Sequence, residues 1–127
     1  MSERTPCAPT PEAVVRVVAR ARLRLSTEAA TQADLEEVLV AAFGRAAVSR
    51  EHRLAPGERP DFLIAGGTVI EVKSPRARAA AVLRQLERYA AYDEVEALIL
   101  ASARAVNVPA RIGGKPGRFV NLGMGWL

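Results

Sequence analysis

The sequence predicts a mixed α/β domain in which helices flank a central sheet. Apolar residues recur at helical spacing in two segments near the N-terminus and in one segment past the middle of the chain. Between and after these segments lie short stretches rich in Val, Ile, Leu and Phe, which are typical of strands. A chain of 127 residues can bury one core but hardly two, so a single domain over 1–127 is expected.

The first helix is predicted over residues 11–25, with Thr10 as its N-cap and Pro11 at the first helical position. Residues 1–10 are rich in Pro and Thr, which favours disorder. Because this helix lies outside the alternating helix and strand segments that follow, we expect it to be an accessory to the core.

The second helix, EAATQADLEEVLVAAFGR, follows two candidate N-caps, Ser26 and Thr27, and should end at Gly44. The third helix is predicted in AAAVLRQLERYAAY. Strands are predicted in AVSREHRL, at a sheet edge, and in VEALILAS and RFVNLG, with residues 113–117 as a turn before the last strand.

A hairpin is predicted in RPDFLIAGGTVIEVK, residues 59–73, and its register decides which polar side chains meet. A two-residue Gly66-Gly67 loop would pair Asp61 with Val72 and leave the Asp61 carboxylate on the face opposite Glu71. A three-residue loop of residues 65–67, with a left-handed glycine, would set Asp61 directly across from Glu71. We predict the three-residue loop.

Two carboxylates facing each other in such a hairpin would repel, since their Cβ atoms would be about 5 Å apart. A divalent cation between Asp61 and Glu71 would relieve that repulsion, and oxygen ligands on a rigid sheet suit Mg²⁺ or Mn²⁺. Lys73 lies two residues beyond Glu71 and therefore on the same face of the strand. The residues thus predict a cation site with an ammonium group beside it.

The pattern of Pro60-Asp61, nine further residues and then Glu71-Val72-Lys73 resembles the motif of the PD-(D/E)XK nuclease superfamily. Gln85 and Tyr89 are similar to the QxxxY element of its RecB-like members. The resemblance covers about residues 27–123. It implies the restriction-endonuclease-like fold, an αβββαβ core with a mixed central sheet flanked by helices.

The resemblance also implies an activity, the hydrolysis of phosphodiester bonds in DNA or, as an alternative, in RNA. Asp61 and Glu71 would then hold Mg²⁺ or Mn²⁺, with help from the Val72 carbonyl. Lys73 would orient the attacking water and stabilise the charge that develops on the phosphate. Gln85 would contact the lysine, a metal-bound water or the substrate.

Superfamily members commonly add an acidic residue from the helix before the sheet, and three glutamates compete for that place. On a helical wheel, Glu28 falls near the centre of the apolar stripe, Glu36 at its flank and Glu37 nearly opposite. A carboxylate directed at the core without a role would be costly, so we select Glu28 as a metal ligand and catalytic residue, with Glu36 in reserve. The alternative is that Glu28 only complements the positive end of the helix dipole.

Nucleic acid is the partner that the charge favours, because the net charge is +4 and the pI is near 10. The candidate contacts to nucleic acid are Arg76, Arg84, Arg88, Lys115 and Tyr89. Two alternatives stay open: charged residues on helices are usually solvated, and Tyr89 also fits the apolar stripe of its own helix. The small size favours a homodimer or delivery by a larger DNA-processing complex.

Several other classes of site are excluded. Cys7 is the only cysteine, which excludes an internal disulfide, and His52 is the only histidine, which excludes a paired-histidine metal site. No apolar run approaches the roughly 18 residues of a membrane helix, so no membrane partner is expected. The N-terminus lacks the pattern of a signal peptide, which favours a cytoplasmic location.

Two hypotheses compete with a nuclease. The chain could keep the fold as a catalytically inactive module that binds nucleic acid or another protein. It could also be an unrelated α/β protein in which Glu71 and Lys73 form a surface ion pair. The hairpin register separates this last hypothesis from the others, because only an unrelated α/β protein is compatible with Asp61 and Glu71 on opposite faces.

Overall fold

The computed structural model describes residues 8–126, and its elements alternate as a mixed α/β fold. The helices within this range are α1 (Pro11–Arg20), α2 (Glu28–Phe43) and α3 (Ala79–Ala90). The strands are β1 (Val48–Arg50), β2 (Phe62–Ile64), β3 (Thr68–Lys73), β4 (Ala97–Ser102), β5 (Arg111–Ile112) and β6 (Lys115–Asn121). Short 3₁₀ helices span Arg45–Ala47 and Leu122–Trp126. The predictions for Cys7 and for residues 1–7 lie outside the described residues, and residues 8–10 carry no helix or strand.

The strands form one sheet in the order β1-β2-β3-β4-β6-β5. The central pairs, β3 with β4 and β4 with β6, are parallel, and the outer pairs are antiparallel. The prediction of a mixed α/β fold is therefore confirmed, as is the edge position of the strand in AVSREHRL.

Helices cover both faces of the sheet. Residues of α1 and α2 pack with one set of strand side chains, which includes Ile70 and Val72 of β3. Residues of α3 pack with the opposite set, which includes Val69. Since side chains alternate along a strand, Glu71 lies on the same face as Val69 and points to the α3 side.

The β2-β3 hairpin has the predicted three-residue loop. Ile64 pairs with Thr68 and Phe62 pairs with Ile70, so residues 65–67 form the connection. Gly66 and Gly67 both have φ of +94°, a conformation that glycine adopts without strain. The alternative register, with a two-residue loop, is absent from this hairpin.

The N-terminal helix is shorter than predicted, because α1 ends at Arg20 rather than at residue 25. The segment that follows is extended and bonded to distant parts of the chain. The indole of Trp126 donates to the Leu23 carbonyl, and the backbone amide of Arg24 donates to the Asp34 carboxylate. The helix is also more than an accessory, since its Val14 and Val18 are fully buried in the core that α2 shares with the sheet.

The predicted turn over residues 113–117 is wrong in extent. Only Gly113 and Gly114 connect two strands, since Ile112 of β5 pairs with Lys115 of β6. His52 lies beyond β1 rather than within a strand, and its Nε2 is 2.8 Å from a carboxylate oxygen of Glu94.

No helix within residues 8–126 is long and apolar enough to cross a membrane.

Candidate functional site

The hairpin brings the carboxylates of Asp61 and Glu71 to adjacent positions on neighbouring strands. The pairing of Phe62 with Ile70 places Asp61 across from Glu71 at the next position. Each carboxylate also accepts a backbone hydrogen bond across the hairpin. The Asp61 amide donates to Glu71 Oε1 at 2.9 Å, and the Val72 amide donates to Asp61 Oδ2 at 2.7 Å. These reciprocal bonds fix both carboxylates relative to the sheet.

Lys73 supplies the positive charge nearest to this pair. Its Nζ lies 3.1 Å from Glu71 Oε2, and the Glu71 side chain is only 3 % exposed, compared with 23 % for Lys73. The ion pair is therefore buried at the carboxylate and open to solvent at the ammonium group. The hypothesis of a surface ion pair on an exposed sheet face does not fit this burial.

Both carboxylates of the pair have raised pKa values. The pKa of Glu71 is raised from 4.5 to about 7, chiefly by burial and also by the neighbouring Asp61 charge, while Lys73 opposes the shift. Burial also raises the pKa of Asp61, against the Val72 amide and Lys73. One ammonium group beside a buried and a partly buried carboxylate leaves an excess of negative charge, which favours a cation.

The pair has an oxygen available for a further ligand. Asp61 Oδ1 accepts no hydrogen bond from residues 8–126 and is not sealed from solvent. The two Glu71 oxygens are occupied, one by the Asp61 amide and one by Lys73. No group of three or more His, Cys, Asp or Glu side chains is assembled as a metal cluster in the described part of the chain. Water can complete the shell of a Mg²⁺ ion held by one or two carboxylates.

Of the three competing glutamates, Glu28 lies beside this pair, but it is exposed rather than directed at the core as the helical wheel predicts. It begins α2, and its Oε1 accepts a hydrogen bond of 2.7 Å from the amide of Ser74, the residue that follows β3. Its charge also contributes to the raised pKa of Asp61. Glu36 instead forms ion pairs of 3.1 Å with Arg45 and with Arg50.

Gln85 and Tyr89 form a hydrogen-bonded pair behind the carboxylates. Gln85 Nε2 donates to Tyr89 Oη at 2.9 Å, and the tyrosine hydroxyl donates to the Arg59 carbonyl at 3.3 Å. Tyr89 is 1 % exposed, and burial together with the Glu71 and Asp61 charges raises its pKa, so the hydroxyl stays protonated. This position suits Tyr89 for fixing the chain before Asp61 rather than for touching nucleic acid.

The four basic candidates for nucleic-acid contact occupy different settings. Arg88 pairs with Glu58 at 3.2 Å, and Lys115 donates to the Tyr92 carbonyl at 2.8 Å. Arg76 lies just beyond Ser74, close to the carboxylate pair. Arg84 is exposed on α3 and has no ion pair within residues 8–126. Arg76 and Arg84 are therefore the candidates whose charge is not already engaged.

Sequence reasoning missed a pocket of about 390 Å³ beside the pair. Lys73, Glu28 and Arg76 line it. Its apolar lining comes from the segment before α2, from β3 and from the residues that follow β3, β4 and β6. The nearest signal in the sequence was Ser74-Pro75 after β3, which marks the end of the strand but not the cavity beside it.

The chain matches no protein-family model, and neither the curated proteins nor the solved structures provide a significant match. Its function therefore has to be inferred from the chemistry of the site.

Proposed function

We propose that this protein is a metal-dependent nuclease that hydrolyses phosphodiester bonds, with DNA as the favoured substrate. The observation that carries the proposal is the pairing of Asp61 with Glu71 across the hairpin, with Lys73 Nζ 3.1 Å from Glu71. Two carboxylates and one ammonium group on a rigid sheet are suited to holding a cation beside a phosphate.

The residues fit Mg²⁺ or Mn²⁺ in three respects. Asp61 and Glu71 offer hard oxygen ligands, as these ions prefer, and the Val72 carbonyl and Glu28 lie in the same part of the fold. Burial raises the pKa of both carboxylates, and a bound cation would offset that shift. Asp61 Oδ1 is open to solvent. When bound, such an ion would polarise the phosphate and acidify a coordinated water.

The remaining roles belong to side chains of the chain itself. Lys73, whose ammonium group is partly exposed, would donate hydrogen bonds to the negative charge that develops on the phosphate oxygens. Gln85 and Tyr89 would hold the segment before Asp61 through the Arg59 carbonyl. They act as positioning residues for the metal ligand.

The order of elements supports the same proposal. From α2 to β4 the chain runs helix, three strands, helix, strand, which is the order implied by the resemblance to the PD-(D/E)XK superfamily. The motif residues fall on β2, β3 and α3 or directly beside them. We propose on this basis that the sheet is a restriction-endonuclease-like core to which β5 and β6 are added.

One observation favours a second candidate, a module that binds nucleic acid without cleaving it. Both Glu71 oxygens are already engaged, one by the Asp61 amide and one by Lys73. If that ion pair persists when nucleic acid is present, no cation can replace Lys73 at Glu71. Such a module would show salt-dependent binding and no hydrolysis.

The proposal predicts cleavage that depends on the metal and on Lys73. Purified protein incubated with single-stranded DNA, double-stranded DNA or RNA should cleave at least one of them with Mg²⁺ or Mn²⁺, and chelation should abolish the reaction. Lys73→Ala should lower the rate about 100-fold or more, because it removes a donor to the transition state. Glu71→Ala should abolish cation-dependent cleavage, since a metal ligand is lost.

Glu87→Gln is the matched control, because it removes a carboxylate that is exposed on α3. This variant should cleave like the wild type. Full activity in both Lys73→Ala and Glu71→Ala would assign any cleavage to another site or to a contaminant. Binding of nucleic acid without cleavage under all these conditions would favour the second candidate.

A further inference from the structure

The pocket beside the carboxylate pair combines charged and apolar surface. Its volume of about 390 Å³ is within the range of about 300 to 1,000 Å³ that is typical of small-ligand pockets. Its charged lining comes from Glu28, Lys73 and Arg76, and its apolar lining includes Leu25 and Leu122. Lys73 thus faces both this pocket and Glu71.

An exposed aromatic side chain lies four residues beyond Leu122, which lines the pocket. Trp126 is 55 % exposed, although its indole Nε1 donates a hydrogen bond of 3.1 Å to the Leu23 carbonyl. A second bond, of 3.3 Å from Arg22 Nε to the Gly125 carbonyl, holds the same segment. A Cβ atom at Gly125 would overlap the Ala21 carbonyl, so the two segments are in close contact. The indole is therefore held in place while much of its surface faces solvent.

The chain places this indole near the rim of the pocket. Leu23, its hydrogen-bond partner, is two residues before Leu25, which lines the pocket. Leu122, which also lines the pocket, begins the 3₁₀ helix that ends at Trp126. The exposed large apolar side chains within residues 8–126 are Leu25, Met124 and Trp126. All of them lie in the two segments that meet beside the pocket.

Positive charge surrounds the same surface. Arg76 lines the pocket, and Arg22 and Arg24 lie on the segment that contacts Trp126. Arg24 is paired with Asp34, but its side chain is 65 % exposed. A fixed aromatic ring among cationic side chains is the usual arrangement for binding unpaired nucleotides, whose bases stack on the ring while the backbone follows the charges.

We propose that Trp126 and the pocket bind an unpaired nucleotide, so that the preferred partner is single-stranded nucleic acid or the unpaired end of a duplex. A base inside a duplex cannot reach such a pocket unless it is unstacked first. The pocket shares Lys73 and Glu28 with the candidate catalytic site, so a nucleotide held there would lie next to the ammonium group that the nuclease proposal assigns to the phosphate. Only this catalytic consequence rests on the proposed nuclease function, because the binding itself does not.

Trp126 is the only tryptophan, so its fluorescence reports on this site alone. The wild-type chain should be titrated in EDTA with oligo(dT), oligo(U) and a blunt duplex of equal length, with occupancy followed by the anisotropy of a labelled oligonucleotide. Single strands should quench the emission in a saturable way, and the duplex at equal occupancy should not. Quenching by only one of the single strands would support the proposal and show that the site discriminates between the two strands. Saturated single-strand binding with unchanged emission, or equal quenching by the duplex, would overturn it.

Two substitutions separate stacking from a structural role of Trp126. Trp126→Ala should weaken single-strand binding about 5- to 100-fold, the usual effect of removing a stacked aromatic ring. Trp126→Phe keeps a ring but loses the hydrogen bond to Leu23, and it should retain most of the affinity. Circular dichroism should confirm that both variants fold. Equal losses in the two folded variants would assign the effect to the hydrogen bond and refute stacking.

The test distinguishes its own failure from that of the nuclease proposal, because chelation prevents cleavage. Quenching by single strands in a chain that never cleaves with Mg²⁺ or Mn²⁺ would support the nucleotide site and refute the nuclease proposal. Cleavage by a chain whose emission is not quenched by single strands would support the nuclease proposal and refute the nucleotide site at Trp126.

Discussion

At the scale of single residues, Glu71 is a buried carboxylate with a strongly raised pKa. A buried carboxylate loses hydration that one ammonium group and one amide only partly replace. Its pKa of about 7 expresses that deficit, because protonation removes the uncompensated charge. The same deficit makes the position suitable for a cation, so the stability of the metal-free protein should depend on pH at this residue.

The free energy of unfolding should fall as the pH rises from about 4.5 to about 7 in the absence of metal. In that window the folded state binds a proton at Glu71 that the unfolded chain has released, because the pKa is raised on folding. Stability from this group is therefore complete below the window and is lost above it, by on the order of 3 kcal/mol. Asp61, whose pKa burial also raises, contributes with the same sign. Urea denaturation in EDTA at several pH values measures the slope.

Glu71→Gln should remove most of this slope, since glutamine does not titrate. Glu87→Gln should keep it, because that side chain is exposed. A wild-type chain that becomes more stable as the pH rises through the window would contradict the electrostatics assigned to the pair.

At the scale of elements, the hairpin could be predicted because its register depends on local chemistry. The apolar alternation of β2 and β3 fixes which side chains face each helix layer, and the glycines fix the loop. The caps at Thr10, Thr27 and Gly44 were predictable for the same reason, since each acts within one helical turn. The Asp61 and Glu71 pairing follows from these local rules.

The elements that sequence reasoning missed depend on distant contacts. Residues 21–25 continue the apolar spacing of α1, but their backbone is held by Trp126 and Asp34, which are not neighbours in sequence. The two-residue strand β5 is too short to show an apolar alternation in the sequence, and it forms by pairing with β6. The pocket beside Lys73 is formed by four separate parts of the chain, so no single segment predicts it.

Gly67→Ala should destabilise the protein more than Gly57→Ala does. Both glycines have positive φ, +94° and +80°, so both substitutions add backbone strain of about 1 kcal/mol or more. A Cβ at Gly67 would also lie 2.7 Å from the Glu94 carbonyl oxygen and 2.9 Å from the Glu96 amide nitrogen, whereas at Gly57 it would meet nothing within 4 Å. Backbone must therefore move at the hairpin. Urea denaturation should show at least twice the loss for Gly67→Ala, and equal losses would contradict the close packing of this loop.

At the scale of the whole molecule, the candidate site draws on both faces of the sheet. The carboxylate pair and Tyr89 lie on the α3 side, Glu28 begins α2 on the opposite side, and the pocket at the end of β3 is lined by both Lys73 and Glu28. The two apolar clusters meet at β3 and β4, whose side chains alternate between them. Both helix layers pack on the same central strands, so the loss of packing on one face would also destabilise the packing on the other. We therefore expect the domain to unfold in one step.

Leu86→Ala tests this coupling from the α3 side. Leu86 is fully buried, and its truncation should lower the free energy of unfolding by about 2 to 5 kcal/mol. Trp126 reports on the segments at the α1 side, and far-ultraviolet circular dichroism reports on the backbone of the whole chain. Because both faces share the central strands, the two signals should shift together in urea, as a two-state transition requires. Leu39→Ala, on the α2 side, should give the same coincidence. A loss of circular dichroism that precedes the change in Trp126 emission in Leu86→Ala would mean that α3 unfolds separately, and Tyr89 could not then hold Arg59 and Asp61 in a fixed site.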